Sequence, residues 1–163
     1  IRNPETFYTR GSSWYNGYSQ YNLWSMDNTV TDGNDNAVVK TIYDPCPAGF
    51  HMPASNAFTG FATTTGLGTS TQSEFNVSGD WDMGWNFKAG GSSTATVYFP
   101  ASGLRDSNNG SLYGVGSLGS YRSAVPLSLY TGASCILYFQ QVYVGPRYNN
   151  PRSQGYSVRP VAE

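Results

Sequence analysis

The chain has 163 residues, a formal net charge of −1 and only 12% charged residues. Its length is typical of one domain that buries a core without metals or disulfides, so we expect residues 1–163 to form a single domain. The near-neutral charge and the lack of Lys/Arg clusters argue against a nucleic-acid partner, and no apolar run is long enough for membrane insertion by this domain.

The first half of the chain has few segments with a regular pattern. Ala37–Tyr43 is rich in β-branched residues and is predicted to be extended. The prolines of residues 44–49 then predict a rigid, non-helical corner. Ser55–Thr63 is the one predicted helix, because its first residues can cap a helix and two phenylalanines follow three residues apart.

The second half is predicted to consist mainly of strands and loops. Ala95–Pro100 has the composition of a strand, and residues 111–123 are predicted to be loop and then strand. Ser134–Val144 is strand-like in composition, and Gly155–Val161 is predicted to be a terminal strand. Pro160 must lie at the edge or the end of that strand, since it has no N–H to donate.

The C-terminal third has the composition of a recognition surface. From Ser107 to Ala162 there is no Asp, Glu or Lys, while Ser, Gly, Asn, Gln and four arginines are frequent. Tyrosine offers a large amphipathic contact area with few rotors to freeze, and the small polar residues adapt their hydrogen bonds. The tyrosines of this stretch are Tyr113, Tyr121, Tyr130, Tyr138, Tyr143, Tyr148 and Tyr156. Tyr138 and Tyr156 lie within scaffold-like runs and are expected to be sheet residues, whereas Tyr130, Tyr143 and Tyr148 are expected to be exposed.

Catalytic and metal-binding interpretations have less support. His51 is the only histidine, so a zinc site or a Ser-His-Asp triad is disfavoured and a structural role is expected. Asp80 and Asp82 flank Trp81, which would suit a glycosidase with paired carboxylates beside a sugar-stacking ring. Two acids this close together in a Gly-rich segment more often form a solvated turn. We therefore expect a non-enzymatic protein with no cofactor, no metal and no catalytic residue.

Two motifs carry a resemblance to a known family. The run DPCPAGFHMP at Asp44–Pro53 resembles the DPCPxGWxxP signature of Bacteroidetes surface domains, and RSQGYSVRPV at Arg152–Val161 resembles their RSxGFSVRPV ending. With FPASG at Phe99–Gly103 and SAVP at Ser123–Pro126, the resemblance covers nearly the whole chain. The family is related to the major paralogous domain of Fibrobacter. It implies an α+β, C-type-lectin-like fold, shared with formylglycine-generating enzymes, that is β-rich with one or two short helices.

The resemblance also implies a function. Close members serve as variable proteins of diversity-generating retroelements, in which a C-terminal region is rewritten while the scaffold is kept. By this resemblance, residues 119–155 are the variable ligand-binding region, and the chain is the C-terminal domain of a longer protein at the cell surface or secreted, such as an outer-membrane lipoprotein or a fimbrial tip adhesin. The expected ligand-binding residues are Arg122, Leu127, Leu129, Tyr130, Thr131, Ser134, Cys135, Gln140, Gln141, Tyr143, Arg147, Tyr148, Asn149, Asn150 and Gln154. Arg122 stands where relatives commonly have Trp.

The chain has two cysteines, Cys46 and Cys135, which could form one disulfide bond. Some relatives carry a cysteine at the place of Pro160, bridged to the cysteine of the CP motif. The loss of that partner implies that Cys46 is a buried free thiol. Cys135 lies in the expected variable region, where it should be exposed and available for disulfide dimerisation in air.

The favoured interpretation is a monomeric, adhesin-like binding domain whose ligand is a surface protein or a glycan. A second interpretation is a structural fimbrial or assembly subunit whose Gly155–Val161 strand pairs with a neighbour. A third is a carbohydrate-active enzyme that uses Asp80 or Asp82. The core of the scaffold is expected to contain Trp85, Phe99 and Leu137.

Overall fold

A computed structural model describes residues 24–26, 37–64, 66–90, 94–126 and 133–163. Within these residues, ten strands form four antiparallel sheets, with the strand orders β2-β3-β4, β7-β8-β9, β1-β10 and β5-β6. The strands are β1 (Phe50–His51), β2 (Val77–Ser78), β3 (Gly84–Lys88), β4 (Thr96–Pro100), β5 (Leu104–Arg105), β6 (Leu112–Tyr113), β7 (Leu118–Pro126), β8 (Ala133–Gln140), β9 (Tyr143–Pro151) and β10 (Val161–Ala162). No helix in this described part of the chain is long and apolar enough to cross a membrane.

The expected α+β, C-type-lectin-like fold is wrong, because the described residues are almost entirely strands, turns and loops. Their helical elements are two 3-10 turns of three residues each, Thr59–Phe61 and Gln72–Glu74. Gly and β-branched residues, which disfavour α-helix, are frequent in the segments between strands. The described part of the chain is therefore β-rich and has no helical layer of the kind that an α+β fold requires.

The predicted helix at Ser55–Thr63 is one of the features that the structure corrects. A turn at residues 55–58 leads into the first 3-10 turn, and Ala62 is already extended, with φ −142° and ψ 155°. No side chain caps the 3-10 turn, and Gly60 lies in its middle. The spacing of three between Phe58 and Phe61 fits the 3-10 repeat, which places both rings in the core.

The strand predictions have mixed outcomes. Ala95–Pro100 is confirmed as β4. In Ala37–Tyr43 the prediction holds only in part, since Lys40 forms an isolated antiparallel bridge with Ser25 but the segment ends in a turn and forms no continuous strand. Ser134–Val144 is extended, as predicted, but a turn at residues 141–142 divides it between β8 and β9. The predicted terminal strand is reduced to isolated bridges and β10, with Pro160 just before that strand.

The core lies between the β2-β3-β4 sheet and the β7-β8-β9 sheet and is dominated by aromatic rings. Phe87 of β3 and Phe139 of β8 are fully buried, with ring centroids 5.3 Å apart in an edge-to-face arrangement. Trp85, Phe99 and Leu137 are buried as expected. Edge-to-face aromatic pairs add specific geometry to the hydrophobic stabilisation, so this core fixes how the two sheets pack.

The DPCP corner is held by two charged side chains. The Asp44 carboxylate accepts hydrogen bonds from the main-chain N–H groups of Cys46 (2.8 Å) and Met52 (2.9 Å). The Lys40 ammonium donates to the carbonyls of Cys46, Pro47 and Phe50 at 2.6–2.8 Å. The corner therefore stays irregular because side chains satisfy its main-chain groups.

Both cysteines are buried, and no disulfide bond joins them. The expectation for Cys46 is confirmed, and burial together with a hydrogen bond to Asp44 raises the pKa of its thiol to about 11. The expectation for Cys135 is wrong, since only 1% of the residue is exposed. Its side chain lies on the core-facing side of β8, where it is closed to disulfide dimerisation.

The C-terminal segment closes the fold by pairing within the chain. Gly155 exchanges two main-chain hydrogen bonds with Arg105, and β10 pairs with β1. Arg159 lies over the Phe99 ring at 4.8 Å and donates to the Tyr98 carbonyl. The SVRPV motif thus serves to attach the C-terminal segment to β4 and β1.

Candidate functional site

Strand alternation gives the β7-β8-β9 sheet two different faces. Leu137 and Phe139 of β8 point into the core. The residues that alternate with them along β8 point to the opposite side of the sheet, which we call the outer face. They are Ser134, Ile136, Tyr138 and Gln140. Register pairs extend the outer face onto β9 through Tyr143, Tyr148 and Asn150.

Three half-buried tyrosines form a cluster at the centre of the outer face. The Tyr138 and Tyr148 rings are stacked, with centroids 5.2 Å apart and an interplanar angle of 28°. Tyr143 lies 5.9 Å from Tyr138 and meets Tyr148 edge to face at 6.0 Å. We call Tyr138, Tyr143 and Tyr148 the tyrosine cluster. Its mutual ring contacts restrict the rotamers of all three side chains before any ligand arrives.

The electrostatics of the cluster favour neutral phenols. Partial burial is the main cause of the raised pKa of Tyr138, and the neighbouring phenols of Tyr148, Tyr113 and Tyr143 raise it further. Partial burial and Tyr148 likewise raise the pKa of Tyr143. These hydroxyls therefore stay protonated at neutral pH, where each can donate one hydrogen bond and accept others.

Close main-chain approach explains how Tyr143 is positioned. Thr69 and Val144 exchange main-chain hydrogen bonds of 2.8 and 2.9 Å, which bring residues 67–69 against β9. A Cβ on Gly68 would overlap the Tyr143 phenol and lie 2.8 Å from the Gly145 Cα. Glycine at position 68 therefore gives the Tyr143 ring its place beside the other two rings.

Arg122 is buried beneath the C-terminal segment rather than exposed to a ligand. Only 4% of the residue is accessible, and its guanidinium lies 4.5 Å from the Tyr156 ring centroid and 5.4 Å from that of Trp24. Desolvation lowers its pKa to about 10, which leaves it charged at neutral pH. An arginine between two aromatic rings fills a space of the kind that a Trp ring could occupy.

The hydrogen bonds of Arg122 tie down the loop after β9. The guanidinium donates to the Ser134 hydroxyl, to the carbonyl of Pro151 at the end of β9, and to the carbonyls of Arg152 and Gln154 in the loop. The Tyr156 hydroxyl in turn donates to the Gln154 side-chain oxygen. Arg122 therefore acts on the outer face indirectly, by fixing the chain that borders it.

The structure divides the predicted ligand-binding residues into several groups. Gln140, Tyr143, Tyr148 and Asn150 come together on the outer face. Arg122, Ser134 and Cys135 are buried, so their expected contact with a ligand is corrected. Asn149 is paired with Cys135 on the other side of the sheet, Arg147 lies at a β-bulge, and Gln141 is exposed in the hairpin turn. Leu127, Leu129, Tyr130 and Thr131 lie outside the described residues.

Two tyrosines of this site were not predicted from the sequence. Tyr138 is the central ring of the cluster, although its scaffold-like run led us to expect a sheet residue outside the binding face. Tyr113 of β6 is 64% exposed and close enough to affect Tyr138. Counting back by twos from Gln140 along β8 would have identified Tyr138.

Ser120 lies directly opposite Tyr138 in the register of β7 and β8. It is fully buried, and within the described part of the chain its hydroxyl is a buried side-chain atom without a hydrogen-bond partner. The neighbouring Ser123 is equally buried, but its hydroxyl donates to the Cys135 carbonyl at 2.8 Å. The outer face thus has one unsatisfied polar group beneath its tyrosines.

The residues considered for catalysis or metal binding are not brought together. His51 lies in β1, with Nδ1 2.7 Å from the Met52 carbonyl oxygen. Asp80 lines a cleft beside Trp81, and Asp82 is exposed outside it. Among the residues described, no three His, Cys, Asp or Glu side chains form a group that could hold a metal ion.

A family model described as "Domain of unknown function (DUF8237)" matches residues 68–161, which include the core strands and the entire outer face. No curated protein and no solved structure matches the chain. The family match covers more than half of the sequence. The chain therefore belongs to this family of domains of unknown function.

Proposed function

We propose that this protein is a non-enzymatic binding domain that recognises its ligand through the outer face of the β7-β8-β9 sheet. The observation that carries the proposal is the tyrosine cluster, in which three half-buried rings contact one another on a sheet whose other side is a rigid core. Tyrosines of this kind supply contact area at low entropic cost and are frequent among residues that dominate binding energy.

The chemistry around the cluster suits a neutral, hydrogen-bonding ligand. Gln140 and Asn150 supply amide donors and acceptors at the two ends of the face. No acidic residue and no lysine occurs between Ser107 and Ala162, so the face has few charges that a ligand would have to match. A cell-surface protein or a glycan fits this surface best, which supports an adhesin-like role at the cell surface.

The motifs at Asp44–Pro53 and Arg152–Val161 support a further step, that the outer face is diversified by a retroelement. A scaffold of this kind keeps core positions and varies residues that face outward. A near-copy of the coding region beside a reverse-transcriptase gene should differ from it mainly at adenines, in the codons of residues such as Gln140, Tyr143 and Asn150. Differences concentrated in the codons of core residues such as Phe139 would contradict this.

The assembly alternative has less support. It requires the Gly155–Val161 segment to pair with a neighbouring subunit, but Gly155 is paired with Arg105 and Val161 with His51 in the same chain. A donated strand needs unpaired main-chain groups. We therefore retain the binding domain as the proposed function.

The test is a binding screen on arrays of glycans and cell-surface proteins, followed by paired variants. We expect the double variant Tyr143→Ser/Tyr148→Ser to weaken any hit by about 30-fold or more, because interface tyrosines often contribute 2 kcal/mol or more. The control Tyr43→Ser removes an exposed tyrosine from a turn outside the cluster and should leave binding unchanged. Unchanged affinity of a folded double variant for every hit would refute the proposal.

A further inference from the structure

A cleft lined by none of the outer-face residues lies next to the β8-β9 hairpin turn. It is an open cleft of about 450 Å³, within the size range of small-ligand sites. Its walls come from the second 3-10 turn, the loop before β3 and the hairpin turn. The residues that matter for its chemistry are Gln72, Phe75, Asp80, Trp81, Trp85 and Gln141.

One wall of the cleft is a fixed aromatic surface. The Trp81 ring is half-buried and meets the Trp85 ring edge to face at 5.4 Å and the Phe139 ring at 6.2 Å. Trp85 is itself held, because its indole N–H donates to the Gln140 carbonyl at 3.1 Å. The Trp81 indole is therefore pre-oriented by the core, and its accessible part borders the cleft.

The polar groups of the cleft are exposed and stand beside this ring. Asp80, next to Trp81 in the chain, contributes an exposed carboxylate, which accepts hydrogen bonds. Gln72 and Gln141 contribute exposed amides from two separate turns, and each amide can both donate and accept. Among the lining residues that the structure describes, none is basic.

We propose that this cleft binds a neutral pyranose ring of a glycan. The weakly positive C–H groups on one side of a pyranose pack against the negative face of an indole, while its hydroxyls need both donors and acceptors at the rim. Trp81 provides the indole face. The hydrogen-bond donors and acceptors at the rim come from Asp80, Gln72 and Gln141. The single carboxylate and the lack of a lining cation disfavour anionic sugars and phosphates.

This inference is independent of the proposed function, since it uses none of the tyrosine cluster. It also differs from a glycosidase site. Asp82 is not among the lining residues, so the cleft has one carboxylate rather than the facing pair that glycoside hydrolysis requires. The cleft is proposed as a binding site only.

The experiment follows the indole N–H signal of Trp81 by two-dimensional NMR during titration with neutral oligosaccharides of glucose, xylose and N-acetylglucosamine, and with sialylated and sulfated sugars as the anionic arm. We expect at least one neutral series to shift the Trp81 signal saturably. Asp80→Asn should weaken that binding several-fold, because the amide replaces one acceptor with a donor, and Gln141→Ala should weaken it too. The matched control Asp82→Asn removes the nearby carboxylate outside the cleft and should have no effect.

The outcomes separate this site from the outer face. Tyr143→Ser/Tyr148→Ser should leave the Trp81 titration unchanged. Trp81→Ala has no such signal, so its sugar binding is measured by isothermal titration calorimetry beside the unmodified protein, and we expect that binding to be lost. The proposal is overturned if no neutral sugar shifts the Trp81 signal, if anionic sugars bind more tightly, or if Asp82→Asn weakens binding as much as Asp80→Asn. It is also overturned if the tyrosine variant abolishes the titration, since the sugar would then occupy the outer face.

Discussion

Ser120 and Ser123 are both fully buried in β7, but only Ser123 has a partner for its hydroxyl. Leaving a buried polar group unsatisfied costs about 1–3 kcal/mol, whereas a satisfied hydrogen bond contributes about 1 kcal/mol. Ser120→Ala should therefore raise the free energy of unfolding by about 1 kcal/mol, and Ser123→Ala should lower it by a similar amount. Urea unfolding of the two variants measures both effects, and a loss of stability in Ser120→Ala would mean that its hydroxyl has a partner.

Gly119 is a second residue whose role can be tested. A Cβ at this position would overlap the Phe139 ring in the core, so Gly119→Ala should lower the free energy of unfolding by about 1–3 kcal/mol or more through overpacking. Gly60 is the control, since nothing lies within 4 Å of a Cβ built there. Gly60→Ala should change stability by only about 0.5 kcal/mol. Similar thermal melts for the two variants would contradict the packing of β7 against β8.

Single residues also show where sequence reasoning stops. The burial of Trp85, Phe99 and Leu137 could be predicted, because large apolar residues are usually internal. The buried free thiol of Cys46 was implied only by the family resemblance. The burial of Arg122 could not be predicted from the sequence. It depends on Tyr156, which is distant in sequence and folds back over the guanidinium.

At the scale of elements, β8 shows why the outer face was only partly predictable. All its residues from Ala133 to Leu137 are buried, so hydrophobicity does not alternate along this part of the strand. The composition predicts a strand but not which side each residue faces. That is why Cys135 was expected to be exposed, and why Tyr138 was expected to be a sheet residue and was left out of the binding face. The helix prediction at Ser55–Thr63 failed for a similar reason, since a spacing of three suits a 3-10 turn as well as an α-helix.

The two sides of β8 should differ sharply in mutational cost. Leu137→Ala removes a fully buried side chain from the core and should lower the free energy of unfolding by about 2–5 kcal/mol. Gln140→Ala truncates a half-buried side chain on the outer face and should cost only about 0.5 kcal/mol. Chemical denaturation compares the two directly. Equal costs would mean that Gln140 is packed inside and that the outer face is assigned wrongly.

At the scale of the whole molecule, the β-rich character was predictable, but the arrangement of the sheets was not. Many Gly, Thr, Tyr and Asn residues and few charges favour strands and turns over helices. The pairing of β10 with β1 joins segments at residues 50–51 and 161–162, and local sequence does not specify such contacts. The family resemblance supplied a helical component that the described residues lack.

The ionisable groups predict that the protein loses stability in alkaline solution. The pKa values of Tyr121, Tyr138, Tyr143 and Tyr156 are raised by burial, and that of Cys46 is raised to about 11. The unfolded chain releases these protons at lower pH than the folded protein, so their contribution is complete below about pH 9 and is lost as pH rises through the folded values. Arg122 acts in the opposite direction, because its pKa is lowered.

The tyrosines and Cys46 lose their stabilising contribution as the pH rises, and only Arg122 gains one. The free energy of unfolding should therefore fall between about pH 9 and 11. Urea midpoints across this range measure the fall. Tyr138→Phe/Tyr143→Phe should show a shallower decline than the unmodified protein, because two of the titrating groups are gone. A stability that stays constant or rises over this range would contradict the burial of these phenols.

The most direct test of the central claim is an amide hydrogen-exchange footprint of the domain bound to the first partner that the array screen identifies. If the outer face binds the ligand, protection should increase at β9 and at the β8 residues around Tyr138, and it should be lost with Tyr143→Ser/Tyr148→Ser. If the ligand is a protein, the amide protection of the cleft residues around Trp81 should remain unchanged. Protection confined to residues 72–85, or to β1 and β10, with none on β9 would contradict the account.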